Sequence, residues 1–253
     1  MKQPIILIGV GEMGAVFARG FLRLGYPVYP VTRAMDMSQV AASVTTPEAV
    51  LVAVAEKDLK PLLAELPSAW KDRLILLQNE LLPADYADFP DATVISVWFE
   101  KKKGQDSKVI SPSPAHGPRA GLLEQALASI DIPVRRLESD EDMLFELVAK
   151  NLYIITTNIA GLVTGGNVGE LWRDHRELAE AIANDVINLQ QALTGEIFDH
   201  EALIQSMVTA FDGDPGHKCM GRSATARLQR AMERADAHQL EVPSLAEIAA
   251  NMH

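Results

Sequence analysis

The sequence predicts an α/β chain in two parts: a doubly wound, mostly parallel sheet with crossover helices, followed by an all-α C-terminal domain. Three observations predict it. Short apolar runs alternate with helical patterns as far as residue 137, as parallel strands and their crossovers do in sequence. A glycine turn, Gly9-Val10-Gly11-Glu12-Met13-Gly14, joins the first apolar run to the first helical pattern. From Asp140 onward only helical periodicity is present. The domains are therefore expected at 1–139 and 140–253.

Strands are expected at 4–9, 27–31, 49–54, 73–78 and 93–98, with shorter ones at 107–111 and 132–137. Between the first two, residues 13–24 carry Val16, Phe17, Phe21 and Leu22 at helical spacing, and Gly25 stops the helix. Pro27 and Pro30 each remove a ladder donor, and Pro30 falls where the second strand should be central, so that strand is expected to be short or bent. The interval 34–48 is too brief and polar for a full crossover helix, and 111–118, rich in Pro and Ser, reads as a loop. Helices are expected at 141–163, ended by Gly165-Gly166, at 176–193, stopped by Gly195, and at 201–211. A loop over 212–216, a helix at 222–238 and a tail helix opened by Pro243 complete the second part.

Composition sets outer limits. With 253 residues, 48% hydrophobic and 23% charged, the chain can bury a core without staples. A net charge of -11 argues against wrapping a phosphate backbone, so small molecules are the expected partners and nucleic acid is not. The single cysteine, Cys219, rules out an intrachain disulfide and suits a reducing cytoplasm. The first apolar run is too short for a signal peptide, and no uninterrupted apolar stretch approaches the roughly 18 residues of a membrane span. A cytoplasmic protein with no membrane partner is expected, with a homodimer among the allowed states. His217, Cys219, Asp212 and Asp214 mix hard and soft ligands without paired zinc spacing, so no metal is expected. Lys218 and Arg222 could lower the Cys219 pKa, although nothing else supports a nucleophile there. The run Glu100-Lys101-Lys102-Lys103 reads as a solvated strand and turn, and His116 and Arg119 fall in a loop of undecided role.

In Gly9-x-Gly11-x-x-Gly14 each glycine has a mechanical task. The first makes the tight turn, the second lets a pyrophosphate approach the backbone, and the third packs helix on strand. The helix start adds N–H groups and a positive dipole end. Following an apolar strand and opening an amphipathic helix, this is the context of a Rossmann dinucleotide-binding domain. Gly9, Val10, Gly11, Glu12, Met13 and Gly14 are the expected cofactor-binding residues, together with Arg33. After the second strand stands Val31-Thr32-Arg33, with no acid before Asp36. A guanidinium there suits the 2′-phosphate of NADP, so NADP(H) is favoured over NAD(H); the alternative is that Arg33 is a solvated surface charge.

The first long helix of the second part carries an apolar stripe of Leu144, Leu147, Val148, Ile155, Ile159 and Leu162, with Asn151 and Asn158 inside it and Lys150 at its border. Eight residues, about 12 Å of rise, separate Lys150 from Asn158, so both could line a groove between domains. A partly buried lysine can supply charge and a proton to a carbonyl oxygen receiving hydride, and asparagines can orient substrate. Equally, Lys150 could be a surface residue and the asparagines could satisfy helix contacts.

Four places in the chain resemble the ketopantoate reductase family, within the wider 6-phosphogluconate-dehydrogenase-like reductases. They are the glycine turn, Leu77-Gln78-Asn79 after the fourth strand, Lys150 with Asn158, and Asn167-Val168-Gly169-Glu170-Leu171. The resemblance implies a Rossmann domain plus a helical domain and reduction of a 2-keto acid by NADPH. Lys150 would then be the catalytic acid, with Asn79 and Asn158 near substrate and hydride transfer in the interdomain cleft. The chain also departs from the family. Glu80 replaces the glycine after Gln78-Asn79, and Ile154 replaces an intermediate asparagine. Ala55 stands where many members have a lysine, with Lys57 two residues on, and the family's Ser-Ser segment and substrate-binding Glu are missing around 221–226. An NADPH-dependent reductase of a small, anionic, 2-keto-acid-like substrate is therefore expected. The rival readings are an imine reductase or β-hydroxyacid dehydrogenase on the same architecture, and a noncatalytic dinucleotide-sensing protein.

Overall fold

The computed structural model describes residues 2–252 and divides into two compact units, one ending at Glu146 and the other beginning at Leu147. In the first, Ile5–Ile8 (β1) leads through the glycine turn into Glu12–Arg23 (α1), then Val28–Val31 (β2), Met37–Ser43 (α2), Ala49–Val52 (β3), Glu56–Ala64 (α3) and Leu74–Leu76 (β4). Thr93–Ile95 (β5), the hairpin Phe99–Glu100 (β6) and Lys108–Val109 (β7), Ser113–His116 (β8), Ala120–Ala128 (α4) and Val134–Arg136 (β9) come next. The main sheet runs β2-β1-β3-β4-β5-β8-β9. Its first five strands are parallel and β8 runs antiparallel to β5.

β1 and β3 are buried at every position, because helices cover both faces of a parallel sheet. Pro30 is tolerated for a different reason from the one expected: β2 is an edge strand, pairing Leu7 with Pro30 and no strand beyond. Two further expectations change. The segment expected as a loop over 111–118 contains β8, whose Pro114 sits in register with Arg135, and it feeds α4, a helix absent from the expected elements. Leu22 is exposed, and α1 instead buries Val16, Phe17 and Phe21. The interval too brief for a full crossover helix holds the seven-residue α2, started by the Asp36 carboxylate accepting from Ser38 and Gln39 N–H.

α1 and α4 pack close enough for Gly20 to meet backbone, since a Cβ there would lie 2.5 Å from the Ala126 carbonyl oxygen. Arg119 is structural. It starts α4, its N–H donates to Thr93 Oγ1, and its guanidinium donates to the carbonyls of Glu48 and Asp72. Burial and nearby Arg73 lower its pKa.

The remaining helices are Asp140–Thr164 (α5), Val168–Asp174 (α6), Arg176–Thr194 (α7), His200–Gly213 (α8), Ala224–Ala237 (α9) and Pro243–Ala250 (α10). α5 spans both units. The stripe expected on it is too narrow a description: 147–153 and 155–161 are buried on every side. α5 is also long and apolar enough to cross a membrane by length and composition, but most of that window is buried, as in a core helix. Asn167 starts α6 in a reciprocal capping box with Glu170, which gives the Asn-Val-Gly-Glu-Leu segment a structural task. The buried Asp185 carboxylate of α7 accepts from Ser244 and Leu245 N–H, at 2.7 and 3.0 Å, and so caps α10 from a neighbouring helix.

Asp185→Ala should lower unfolding stability by about 1–3 kcal/mol, because one buried and one part-buried donor lose their carboxylate acceptor; urea melts read it, and an unchanged midpoint refutes the capping role. Tyr86, half-buried near Asp140 and Asp85, has its phenol pushed up to about 12 by burial and then by those carboxylates. A raised acid binds its proton more tightly when folded, so its contribution is full below the ordinary value of 10.0 and is lost as pH rises towards 12. Tyr86→Phe should flatten the loss of stability across that window.

Candidate functional site

Three chain segments leave the same edge of the parallel sheet, at the C-terminal ends of β1, β2 and β3, and surround a cavity of about 690 Å³. The chain passes from β1 to β2 on one side and returns to β3 on the other. That topological switch point is where open α/β sheets bind ligands. The wall includes Gly9, Val10 and Gly11 after β1, Thr32 and Arg33 after β2, Ala53 to Ala55 after β3, and Asp58 from α3.

The three glycines are not equivalent. Gly9 has φ +93°, and a Cβ on it would lie 2.6 Å from the Ala53 carbonyl oxygen. A Cβ on Gly14 would lie 2.3 Å from the Gly9 carbonyl oxygen. Both are therefore required by the fold. Gly11 has φ -76° and nothing within 4 Å of the place its Cβ would take. Neither backbone conformation nor packing explains it, whereas a ligand approaching the backbone would. Of the other expected cofactor residues, Glu12 faces Lys101 at 3.8 Å and Met13 packs on the core of the unit; neither they nor Gly14 are among the residues of the cavity wall.

Arg33 reaches the cavity, but not as an isolated cation. Its Nη2 lies 2.8 Å from Asp58 Oδ2, with the arginine side chain 92% exposed and the aspartate 35%. Lys101 belongs to the β6–β7 hairpin and donates to the Gln105 carbonyl.

After β4, the Gln78 amide ties two strand ends together, donating to the carbonyls of Val52 at 2.7 Å and Val54 at 3.3 Å while accepting from Leu77 N–H. This sets Asn79 beside α3, where its Nδ2 donates to Glu56 Oε1 at 3.2 Å. Glu80 is buried with φ +60°. It holds a left-handed backbone conformation that favours glycine, at a cost on the order of 1–2 kcal/mol.

On α5, Lys150 is buried and its ammonium stands 5.5 Å from the centre of the Tyr153 ring, which itself leans on Phe211 and His217. The reading of Lys150 as a surface residue is thus excluded. Asn151 donates to Gln190 Oε1 of α7 at 3.0 Å, a helix contact. Asn158 donates to the Cys219 carbonyl at 3.0 Å and accepts from Arg227 Nη1 of α9 at 2.7 Å. Sequence reasoning missed Arg227; its signal was a basic residue on the α9 face that also buries Ala224, Leu228, Ala231 and Ala235. Cys219 is fully buried, and burial, with Glu170 adding to it, pushes its thiol up to about 11. That reverses the expectation that Lys218 and Arg222 could lower it. His116, expected in a loop, ends β8, where Nδ1 lies 2.9 Å from the Leu137 carbonyl and Nε2 3.2 Å from Asp140. Among the described residues no three His, Cys, Asp or Glu side chains cluster as metal ligands.

No protein-family model and no curated protein sequence matches the chain. Solved structures do. A 2-dehydropantoate 2-reductase from Methylococcus capsulatus is 16% identical with a TM-score of 0.68, over 98% of this chain and 95% of that one. A dimeric ketopantoate reductase from Staphylococcus aureus is 18% identical with a TM-score of 0.65, over 98% and 96%. D-mandelate dehydrogenase in complex with NADH is 14% identical with a TM-score of 0.70, over 99% and 97%. At these identities the likeness is one of architecture, and the chain has the fold of the ketopantoate reductases from end to end.

Proposed function

We propose that the chain is an NADPH-dependent oxidoreductase of the ketopantoate-reductase kind, reducing the carbonyl of a small, anionic, 2-keto-acid-like substrate. The observation that carries this reading is Gly11, a glycine that the fold does not need, on the wall of a cavity at the switch point of a parallel sheet. A pyrophosphate closing on the backbone there accounts for it. Arg33 on the same wall supports a 2′-phosphate and hence NADPH.

When bound, the nicotinamide supplies hydride. The chain's own residues do the rest. Lys150 donates the proton that neutralises the developing alkoxide, and its burial strengthens that electrostatic help. Asn158 uses one N–H and one lone pair on Cys219 and Arg227, which leaves a second N–H to orient substrate. Asn79, held by Glu56, would contact substrate or nicotinamide. A buried guanidinium beside Asn158 supports an anionic substrate. A homodimer, as in the enzyme from Staphylococcus aureus, belongs to the same proposal. The fastening of Asn158 also favours a second reading, a dinucleotide sensor without turnover.

Gly11→Ala should keep its melting temperature yet weaken NADPH at least about tenfold by fluorescence titration, whereas Gly9→Ala and Gly14→Ala should melt earlier. Unaltered binding in Gly11→Ala removes the main support for the reading. Lys150→Ala should leave NADPH affinity unchanged and lower kcat by about 10²–10⁴ in single-turnover reduction across 2-keto acids. Tight NADPH binding by the wild type with no turnover of 2-keto acids, imines or 3-hydroxy acids would favour the sensor.

A further inference from the structure

The Arg33–Asp58 pair places opposite charges at one spot on the cavity wall, and each suits a different cofactor. Rossmann domains that take NAD carry an acid after the second strand to hold the ribose 2′-hydroxyl. This chain has Arg33 there instead, but α3 brings the Asp58 carboxylate to within 2.8 Å of its guanidinium. We propose that Asp58 is a specificity-determining residue, an acid supplied from α3 that accepts from the ribose hydroxyls of NADH and opposes the 2′-phosphate of NADPH. This rests on the dinucleotide reading above.

Asp58 lies in the first turn of α3, so its position is fixed by helix backbone. Arg33 follows an edge strand and is 92% exposed, so it can turn away at little cost. A 2′-phosphate must take the guanidinium from the carboxylate or share it, against the repulsion of a neighbouring like charge. A ribose hydroxyl meets no such opposition and can donate to Asp58. The site therefore admits both dinucleotides, and the charge at residue 58 sets their ratio.

The test is titration of NADPH and NADH into the full chain as wild type, Asp58→Asn, Arg33→Ala, the double variant and Glu65→Gln, each checked by melting. Glu65 lines the same cavity without joining the pair, so it controls for net charge alone. Asp58→Asn should tighten NADPH and weaken NADH, each by about three- to tenfold. The NADPH gain should shrink but not vanish when Arg33 is also replaced, because only the like-charge repulsion is then left to relieve, while the NADH loss persists. An unchanged ratio, a gain undiminished by loss of Arg33, or an equal shift in Glu65→Gln overturns the assignment. If the wild type binds both nucleotides and the ratio stays fixed, only the role of Asp58 falls. If it binds neither, the dinucleotide reading falls with it.

Discussion

The first unit depends on backbone packed against backbone at the start of α1. The Gly9 carbonyl oxygen would be 2.3 Å from any Cβ on Gly14, and the Ala53 carbonyl oxygen 2.6 Å from one on Gly9. With side chains at either place, α1 could not start so close to the ends of β1 and β3, and the cavity between those strand ends would be displaced. Gly20 repeats the contact farther along α1 against Ala126. The helix is thus fixed at both ends by approaches that only glycine allows. A rigid helix start beside an open wall is what anion binding through N–H groups requires, because those donors must be oriented before the ligand arrives.

The segment after β4 solves a related problem in the opposite way. Gln78 commits its amide to the carbonyls beyond β3, which holds the strand ends together without a ligand. Glu80 then adopts a left-handed backbone conformation where glycine would be unstrained. That conformation costs free energy through backbone strain. Such costs persist where surrounding structure imposes them, and the clamp at Gln78 is positioned to do so. The backbone beside Asn79 is thus held on a path that glycine would follow without strain.

Legibility in the sequence depended on how local each signal is. The βαβ unit, the glycine turn, the shortness of the second strand and most helices of the second unit were legible, since period, caps and breakers act over a few residues. β8 was hidden because two prolines and a histidine resemble a loop until β5 and β9 provide its partners. Pro30 was misread for the same reason, since a strand's place in the sheet is a non-local property. Of the residues that line the cavity, Gly11 and Arg33 were singled out from the glycine spacing and from the end of the second strand, while Asp58, and Arg227 beside Asn158, were invisible to such local signals. Asp58 is 25 residues from Arg33 and Arg227 is 69 from Asn158. Pairings at such separations are made by topology.

Burial on every side leaves the middle of α5 no face on which polar side chains can meet water, so Thr157 donates to the Tyr153 carbonyl of its own helix and the two amides are matched from other elements. Asn151 is matched by Gln190 on α7, and Asn158 by Arg227 on α9 and the carbonyl of Cys219. The ammonium of Lys150 stands against the Tyr153 ring, where cation–π attraction offsets part of its desolvation. A helix serving packing alone would carry leucine at these positions at lower cost. An ammonium and an amide are thereby kept two turns apart in an apolar environment, each against a neighbouring group. The same bonds make the segment from Cys219 to Arg227 part of the Asn158 environment.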